Sequence, residues 1–384
     1  MDDPQMTAFD YQPRTRILYG SDKLVSLGAI AGELGARRVL LVTDPGIIEA
    51  GHHSRALASL EGANIETYTF DDVEENPTTD HVERGRRLAE RHEPELIVGL
   101  GGGSAMDCAK GINFVHTNGG TMKDYWGVGK ALQPMLPMIA VPTTAGTGSE
   151  TQSFALISDA ESKVKMACGD KKASFRAAIL DPKLTLTQPP QVTALTGIDA
   201  LAHAVETYVT TRRNPVSMAF SREAWQLLSE NFIRVLDDPD DLDARGSMQL
   251  GACFAGMAIE NSMLGAAHAM ANPLTANYGV VHGQAVGLML PHVVRFNGEQ
   301  VESRYEELTK SSPGANGSAG TDQLADFLET VTKRAKLAVQ LRDLEVPSDD
   351  LPRLAAEAAE QWTGQFNPRQ VDAEMLKTIY ERAY

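Results

Sequence analysis

Apolar and polar positions in the first half of the chain alternate between short buried runs and amphipathic segments. The strand-like runs are RRVLLVTD (37–44), IETYTF (65–70), ELIVGL (95–100) and the start of PMIAVPTTAGTGSE (137–150). Strands separated by helices of ordinary length are typical of βαβ units, so we expect a mostly parallel sheet. Two shorter strand-like pieces with a turn between them, in FALISDAESKVKMACGD (154–170), predict a hairpin.

The second half of the chain has helical periodicity and almost no strand signal. Helices are predicted at 221–236, 324–344 and 351–362, where apolar residues recur every three or four positions. Pro189 and Pro190 mark the change of pattern, so we predict an α/β domain at 1–188 and an all-helical domain at 189–384. The segment 310–320, rich in glycine and serine, is typical of a flexible loop.

Composition narrows the class of protein. The 384 residues carry 51 acidic and 35 basic side chains, a formal charge of −16, which argues against a non-specific grip on nucleic acid or anionic membrane. No run approaches the roughly 18 apolar residues of a membrane span. The first ten residues lack the basic start and apolar stretch of a secretory signal. Three widely spaced cysteines, Cys108, Cys168 and Cys253, suggest reduced, mostly buried thiols and a cytoplasmic protein.

A glycine turn follows the third strand-like run and opens a helix. In GLGGGSAMD (99–107), three successive glycines let backbone N–H groups approach an oxyanion at the positive end of the helix. The turn departs from the G-x-G-x-x-G fingerprint because Ser104 takes the place of the last glycine. A tight turn between strand and helix with no ligand explains this segment equally well.

A second loop of small residues, PTTAGTGSE (142–150), follows the next strand and carries the hydroxyls of Thr143, Thr144, Thr147 and Ser149. Ligands of open α/β sheets bind beyond the carboxyl ends of strands, so the two loops could hold a pyrophosphate between them. Asp44 ends an earlier strand, where a carboxylate can accept hydrogen bonds from a ribose diol and repel a 2′-phosphate. An ordinary helix N-cap is the alternative interpretation of Asp44.

An acid and three histidines stand in apolar or glycine-rich surroundings of the second half. Asp199 and His203 are four residues apart, so a helix places them on one face, and His268 and His282 follow. One carboxylate and three imidazoles suit Fe²⁺, Zn²⁺ or a similar divalent ion, and affinity order alone would favour zinc over iron. The alternatives are histidines satisfied within the core and a simple hydrogen bond between acid and histidine. Burying four polar groups without partners would cost a few kcal/mol each.

The remaining histidines are expected elsewhere. Those in charged or turn-like segments, which we expect at the surface, are His52, His53, His81, His92 and His116. His292, ten residues after His282, is expected either in the core or behind the metal ligands.

In the order and spacing of these motifs, the chain resembles the iron-containing (group III) alcohol dehydrogenase family. The resemblance rests on GGGSAMDCAK, PTTAGTGSE, GIDALAHAVE and the segments around His268 and His282, and runs from about Thr15 to the end. It implies a dehydroquinate-synthase-like architecture with an N-terminal nucleotide-binding domain and a C-terminal helical domain. It also implies a cleft for NAD and metal between the domains, and homo-oligomers, commonly dimers.

The resemblance also implies roles for individual residues. The metal ligands would be Asp199, His203, His268 and His282. The nucleotide contacts would be Asp44, Asn76, Gly102, Gly103, Ser104, Asp107, Thr143, Thr144, Thr147, Lys165 and Leu184, the last at the start of a segment (184–188) lining the adenosine side. Asp44 matches members that prefer NAD to NADP.

One position departs from the family pattern. Many members carry a histidine four residues after the third ligand, near the nicotinamide, and this chain has Asn272 there. An amide can orient a substrate but cannot act as an acid or base near neutral pH, because it has no suitable pKa. The proton would then leave by another route, such as water or the ribose hydroxyls, or the activity differs from the family's usual one.

The predicted function is that of an NAD-dependent and metal-dependent alcohol dehydrogenase, or aldehyde reductase, acting on a small primary alcohol or aldehyde. The alcohol oxygen would occupy an open metal position, which lowers its pKa, and the carbinol carbon would give hydride to nicotinamide C4. Alternatives on the same scaffold are a polyol or hydroxy-acid dehydrogenase, a hydroxyacid–oxoacid transhydrogenase and a metal-free reductase. A non-catalytic nucleotide-binding or assembly protein is the alternative from another class. Side chains such as Phe154, Phe254 and Met257 either line the cleft or belong to the core.

Overall fold

The computed structural model describes residues 8–310 and 320–384. Nearly all of the loop predicted at 310–320 therefore lies outside the described residues. The chain divides into two compact units. The sheet unit comprises Gln12–Thr144 and Gly148–Gln188. The helical unit comprises Pro189–Tyr384, the short segment Ala145–Thr147 and the described residues up to Tyr11.

The sheet unit contains nine strands and five α-helices among its described residues. The strands are β1 (Arg16–Tyr19), β2 (Arg38–Val42), β3 (Glu66–Phe70), β4 (Leu96–Gly101), β5 (Gly127–Val128), β6 (Met138–Pro142), β7 (Phe154–Ser158), β8 (Lys165–Gly169) and β9 (Ala177–Leu180). The helices are α1 (Leu27–Glu33), α2 (Pro45–Glu49), α3 (His52–Gly62), α4 (Thr79–His92) and α5 (Gly103–Asn118). The four strands predicted from apolar runs correspond to β2, β3, β4 and β6.

Six strands form one parallel sheet in the order β1-β9-β6-β4-β2-β3. Every neighbouring pair in it is parallel, which confirms the predicted α/β fold. Central strands such as β4 and β6 are buried along their whole length, as expected when helices cover both faces of a parallel sheet. Because β3 and β4 lie on opposite sides of β2, the chain reverses its winding direction there, and such a reversal opens a crevice at the carboxyl ends of the strands.

The predicted hairpin is also present. β7 and β8 pair antiparallel, with Phe154 opposite Gly169, and β5 joins β8 to complete a second sheet of three strands. Phe154 lies so close to Gly169 that a Cβ there would stand 2.4 Å from its ring, so glycine is required for this pairing.

The helical unit contains eight α-helices among its described residues. They are α6 (Pro190–Val209), α7 (Pro215–Asp237), α8 (Leu242–Asn261), α9 (Ala266–Tyr278), α10 (His282–Lys310), α11 (Thr321–Arg334), α12 (Leu351–Ala359) and α13 (Ala373–Ala383). The all-helical second half is therefore confirmed. Helix α6 is buried on nearly every side, so its apolar residues need not keep to one stripe.

One predicted helix is too long. The prediction ran from 324 to 344, but α11 ends at Arg334, and Lys336 adopts a left-handed backbone with φ of 58°. A residue in that conformation cannot continue an α-helix, and the chain next forms only a short 3-10 helix at Leu341–Leu344. The apolar residues beyond α11 pack on the core from irregular backbone, where helical spacing is not needed.

Helix α10 approaches the backbone of α6 closely. A Cβ placed on Gly283 would stand 2.3 Å from the carbonyl oxygen of Leu195, and one on Gly287 would stand 2.3 Å from Cγ2 of Ile198. The two helices can approach this closely because Gly283 and Gly287 have no side chains. His282 precedes the first of these glycines, so this contact also sets how close His282 comes to α6.

The three cysteines are free and buried, as predicted. Burial raises the pKa of the Cys168 thiol to about 12 and holds that of Cys108 well above its usual range. Within residues 8–310 and 320–384, no helix is both long and apolar enough to cross a bilayer.

Candidate functional site

The carboxyl ends of β2, β4 and β6 lie side by side and carry the residues predicted to hold a nucleotide. The register pairs Val42 with Gly99 and Gly101 with Pro142, so Asp44, the glycine turn and Thr143 leave the sheet at one edge. The backbone N–H of Thr143 donates to the carbonyl of Gly101 at 3.0 Å. The structure thus brings together two predicted loops that are about 40 residues apart in the sequence.

The glycine turn is narrow. Gly101 has φ of 147°, a conformation that favours glycine, and a Cβ there would stand 2.9 Å from Cβ of Ala105 and 3.3 Å from Oδ2 of Asp44. A Cβ on Gly102 would lie 3.3 Å from Cγ2 of Thr144. Side chains at Gly101 and Gly102 would therefore fill the space beside the first turn of α5, and glycine keeps this space open. The N–H groups of that turn lack intrahelical partners. This space and these donors fit a phosphate.

Gly103 and Ser104 form the first turn of α5 and are half-buried. Asp44 caps α2, accepting from the backbone N–H of Ile47 at 3.0 Å. Burial raises the pKa of Asp44, although hydrogen bonds from backbone N–H groups oppose this. The N-cap interpretation therefore describes Asp44 correctly, while its second oxygen lies close to the glycine turn.

Asp107 has a different environment. It accepts from Ser149 Oγ at 2.6 Å and from the backbone N–H of Leu156 at 3.2 Å, and the ammonium of Lys110 lies 3.4 Å away. Lys110 is fully buried and also donates to the carbonyl oxygens of Ser149 and Phe154. These hydrogen bonds connect α5 to the loop after β6, so Asp107 stabilises the conformation of that loop at the carboxyl edge of the sheet.

The other predicted nucleotide contacts are more scattered. Lys165 donates to Oδ1 of Asn76 at 3.2 Å, so the structure brings these two residues together. Leu184 is fully buried in the apolar core, which leaves only its backbone for a ligand. Thr144 remains in the sheet unit, whereas Thr147 belongs to the helical unit.

The four predicted metal ligands converge on one carboxylate oxygen. Oδ1 of Asp199, on α6, lies 3.5 Å from Nε2 of His203, 3.4 Å from Nε2 of His268 and 3.9 Å from Nε2 of His282. Ligand atoms of Asp199, His268 and His282 all lie within 4.8 Å of one another. The structure therefore brings together an acid and three imidazoles from α6, α9 and α10.

Asp199, His203 and His268 are buried, and His282 is half-buried. Among the residues that the structure describes, Oδ1 of Asp199 and Nε2 of His268 are buried and have no hydrogen-bond partner. Burial raises the pKa of Asp199, but the three imidazoles outweigh burial and hold it well below its usual range. Burial lowers the pKa of His268, but two carboxylates outweigh burial and raise it to about 9. A divalent cation would supply the positive charge that this arrangement favours, and the donor set suits iron or zinc.

Glu206 is a residue of the site that sequence reasoning missed. Its Oε2 lies 2.5 Å from Nδ1 of His268, and its Oε1 accepts from the backbone N–H of Ala267 at 2.7 Å. It stands seven residues after Asp199, so it lies two turns along the same face of α6. That spacing within GIDALAHAVE was the available signal.

Asn272 lies one turn after His268 on α9 and donates from Nδ2 to Oε1 of Gln361 at 2.9 Å. The amide of Gln361 in turn donates to the carbonyl of Glu357 at 3.4 Å. The orientation of Asn272 is therefore fixed by a neighbour that the sequence did not indicate.

Two of the histidines predicted at the surface are buried, so the prediction was wrong for them. His52 is 3% exposed, and its Nε2 lies 2.7 Å from Oγ1 of Thr187. His81 is 6% exposed and completes the capping box of α4, where its Nδ1 accepts from the backbone N–H of Thr78 at 3.1 Å. His53, His92 and His116 are partly buried, as is His292. His52 and His81 are buried because they make local hydrogen bonds, although their flanking residues are charged or turn-like.

Comparison with known proteins agrees with this geometry. A family model for iron-containing alcohol dehydrogenase matches residues 13–182, and one for the C-terminal part of the Fe-containing alcohol dehydrogenase family matches residues 193–384. The chain is 36% identical over 368 residues to alcohol dehydrogenase 4 of Schizosaccharomyces pombe, covering 95% of this chain and 87% of that protein.

Solved structures give the same result. A crystal structure of 1,3-propanediol oxidoreductase matches with a TM-score of 0.94 and 32% identity over 98% of this chain and 100% of that one. Sulfoacetaldehyde reductase from Bifidobacterium kashiwanohense, in complex with NAD⁺, matches with a TM-score of 0.90 and 27% identity over 98% and 99%. The chain belongs to the iron-containing alcohol dehydrogenase family and shares the fold of these oxidoreductases, which confirms the resemblance.

Proposed function

We propose that the protein is an NAD-dependent, metal-dependent dehydrogenase of small primary alcohols that also reduces the corresponding aldehydes. The observation that carries this proposal is the convergence of three imidazoles on Oδ1 of Asp199. Relatives named as an alcohol dehydrogenase and a 1,3-propanediol oxidoreductase support a short alcohol as substrate.

Asp199, His203, His268 and His282 would hold the cation in this proposal. When bound, a divalent ion supplies a Lewis acid that favours the deprotonated alcohol and polarises the aldehyde carbonyl. The family name supports iron, and the ligand types also suit zinc. Asn272 would orient the substrate, because its amide is held by Gln361 and cannot take up a proton.

The sheet unit would bind NAD. The N–H groups at the start of α5, with Gly102, Gly103, Ser104 and the hydroxyls of Thr143 and Thr144, would hold the pyrophosphate. Asp44 would accept from the ribose hydroxyls and discriminate against NADP. The remaining predicted contacts, namely Asn76, Asp107, Thr147, Lys165 and the backbone of Leu184, stay part of the proposal. The NAD⁺ complex of the sulfoacetaldehyde reductase supports this cofactor.

The domain assignment belongs to the same proposal, with a dinucleotide-binding domain at 1–188 and a metal-binding domain at 189–384. We also propose a cytoplasmic homo-oligomer, commonly a dimer in this family. Three free, buried thiols support a reducing compartment.

An activity panel tests the proposal. Protein stripped of metal and reloaded with Fe²⁺ or Zn²⁺ is assayed with short primary alcohols, diols, hydroxy acids and aldehydes, with and without added NAD(H). We expect metal-dependent turnover of a short alcohol that requires added NAD⁺. Turnover of a hydroxy acid without free cofactor would favour a transhydrogenase. Activity that survives metal removal would contradict the metal-dependent mechanism.

A further inference from the structure

Glu206 makes two hydrogen bonds at once from a buried position. Only 4% of the residue is exposed. Oε2 accepts from Nδ1 of His268 at 2.5 Å, and Oε1 accepts from the backbone N–H of Ala267 at 2.7 Å. Both contacts reach the first turn of α9, so the side chain joins α6 to the start of the helix that carries a candidate ligand.

The first contact determines which nitrogen of His268 carries the proton. A carboxylate only accepts hydrogen bonds, so Nδ1 of a neutral His268 must be the protonated nitrogen. Its lone pair then lies on Nε2, which is buried 3.4 Å from Oδ1 of Asp199 and has no hydrogen-bond partner within residues 8–310 and 320–384. The ring nitrogen that faces the other candidate ligands is thereby the one able to bind a cation.

The second contact fixes the position of the ring. The N–H of Ala267 lies in the first turn of α9, which has no intrahelical acceptor. By accepting from it, the carboxylate holds the backbone beside His268 and the ring of His268 in one fixed arrangement. Gly265 leaves room for this, because a Cβ there would stand 3.1 Å from Oε1 of Glu206.

We propose that Glu206 is a positioning residue of the metal centre, which sets the tautomer and orientation of His268 through one carboxylate that accepts two hydrogen bonds. This inference rests on the proposed function, because it requires His268 to bind a metal. Outer carboxylates that orient a metal-binding histidine typically change metal affinity by roughly 10- to 100-fold when they are replaced.

Glutamine has the shape of Glu206 but cannot replace it. Its amide has one oxygen, whereas His268 and Ala267 each present an N–H. If the oxygen faces Ala267, the NH₂ group faces Nδ1 and drives the proton to Nε2, which then cannot bind a metal. If the oxygen faces His268, the NH₂ group of the glutamine faces the N–H of Ala267, and two donors cannot form a hydrogen bond. Glu206→Asp keeps the charge but shortens the side chain by one carbon, so it cannot span both contacts.

The test compares Zn²⁺ affinity of the whole protein, stripped of metal, for wild type, Glu206→Gln, Glu206→Asp and Asn367→Ala. Asn367→Ala is the control, because Oδ1 of Asn367 accepts from the neighbouring N–H of Ala266 at the start of the same helix. Asn367 also exchanges hydrogen bonds with Asn297, but among the described residues it makes none to His268. We expect a dissociation constant roughly 10- to 100-fold higher for both Glu206 variants and close to wild type for the control. In Zn²⁺-loaded wild-type protein labelled with ¹⁵N-histidine, NMR should show a proton on Nδ1 of His268 and none on Nε2, and a proton on Nε2 would overturn the assigned tautomer.

Each outcome decides the question. Zn²⁺ affinity within about threefold of wild type in both Glu206 variants would overturn the positioning role. An equal loss in Asn367→Ala would also overturn it, in favour of a general need for hydrogen bonds at the start of α9. If Glu206→Gln fails to fold, Glu206→Asp alone decides by the same criterion. A wild type that binds no Zn²⁺ or Fe²⁺ would instead contradict the proposed function, and this inference with it.

Discussion

The imidazole rings of His203 and His268 lie nearly parallel, with centroids 4.9 Å apart and planes 19° apart, although one ring comes from α6 and the other from α9. A negative charge shared between two buried imidazoles stabilises both rings. Oδ1 of Asp199 supplies it, because it lies within 3.5 Å of Nε2 of His203 and of Nε2 of His268. The carboxylate of Asp199 is therefore the group that contacts all three histidines of the candidate metal site.

Replacing that carboxylate should remove the metal. Asp199→Asn keeps the size of the side chain but loses the negative charge on which three imidazoles converge. We expect metal affinity to fall by more than the roughly 10- to 100-fold typical of an outer partner, and alcohol oxidation to fall with it. Metal content after dialysis and activity with saturating NAD⁺ measure both effects.

Asp170→Asn is the control for that experiment. Asp170 is also a buried carboxylate, but it accepts from Lys172 and from the backbone of Ala131 in the sheet unit. Its replacement should leave metal content unchanged. Asp199→Asn protein that retains metal with wild-type affinity would contradict the assigned ligand set.

Gly283→Ala should disturb the site without touching a ligand. The new Cβ would stand 2.3 Å from the carbonyl oxygen of Leu195, so α10 must move away from α6 and take His282 with it. We expect a loss of stability of about 1–3 kcal/mol, as for other overpacked contacts, and weaker metal binding. Urea denaturation and Zn²⁺ titration measure the two effects.

Gly62→Ala in α3 provides the comparison, because a Cβ there would meet no atom of the described residues within 4 Å. It should be neutral or slightly stabilising, since alanine is favoured over glycine in a helix by up to about 1 kcal/mol. If Gly283→Ala behaved like Gly62→Ala, the close approach of α10 to α6 would not set the position of His282.

The preference for NAD should depend on the charge of Asp44. Asp44→Ser keeps a side chain that can cap α2 but removes the carboxylate that would repel a 2′-phosphate. We expect the ratio of kcat/KM for NADP⁺ to that for NAD⁺ to rise by roughly tenfold, equivalent to about 1.4 kcal/mol. Steady-state kinetics with both cofactors provide the measurement, and an unchanged ratio would exclude Asp44 from cofactor selection.

Asn272→His should introduce a titrating group where wild type has none. A histidine in this position has an ordinary pKa of about 6.5, so the rate of alcohol oxidation should gain a new inflection near that pH. Asn272→Gln, which also lacks an ionisable group, should show no such inflection. The pH profile of kcat distinguishes the two variants. A profile of Asn272→His identical to that of wild type would place this position away from the reacting groups.

Acid stability should depend in part on Asp350. Hydrogen bonds from Arg353 and Tyr278 lower its pKa from 3.8 to about 2. Because the folded-state pKa is depressed, the charged form stabilises the fold above about pH 4, and this contribution is lost as the pH falls through about 2. Asp350→Asn should therefore cost stability at pH 5, by less than about 1 kcal/mol for a solvent-facing pair, and progressively less towards pH 2.

Urea midpoints at pH 5 and pH 3 measure that difference. Asp349→Asn serves as the control, because Asp349 accepts from Ser348 rather than from Arg353. A stability difference between wild type and Asp350→Asn that is the same at pH 5 and pH 3 would contradict the lowered pKa.

The parallel sheet could be predicted because its central strands are continuous apolar runs. β1 was not predicted, since its four residues, RILY, are partly exposed and too short to show a period. The end of α11 was missed for a different reason, because the backbone of Lys336 turns left-handed without a glycine or proline to signal it.

For the candidate site, the sequence indicated the ligand types but not how they meet. Only Asp199 and His203 are linked by helical spacing. The approach of His282 depends on Gly283 contacting the carbonyl of Leu195, which leaves no periodic signal. The orientation of His268 depends on Glu206, whose spacing from Asp199 shows that they share a face of α6 but not that Glu206 meets α9. Whether these residues bind a metal stays a prediction.

The segment Ala145–Thr147 prevents a clean separation of the two units at a single point in the sequence. It belongs to the helical unit but is flanked on both sides by residues of the sheet unit, and a Cβ on its Gly146 would stand 2.5 Å from Cβ of Thr196. A polypeptide truncated to begin at Pro189 would lack this piece, and with it the contact between Gly146 and Thr196. Neither half of the enzyme is encoded by one uninterrupted stretch, so exchanging halves between relatives would require several junctions rather than a single splice.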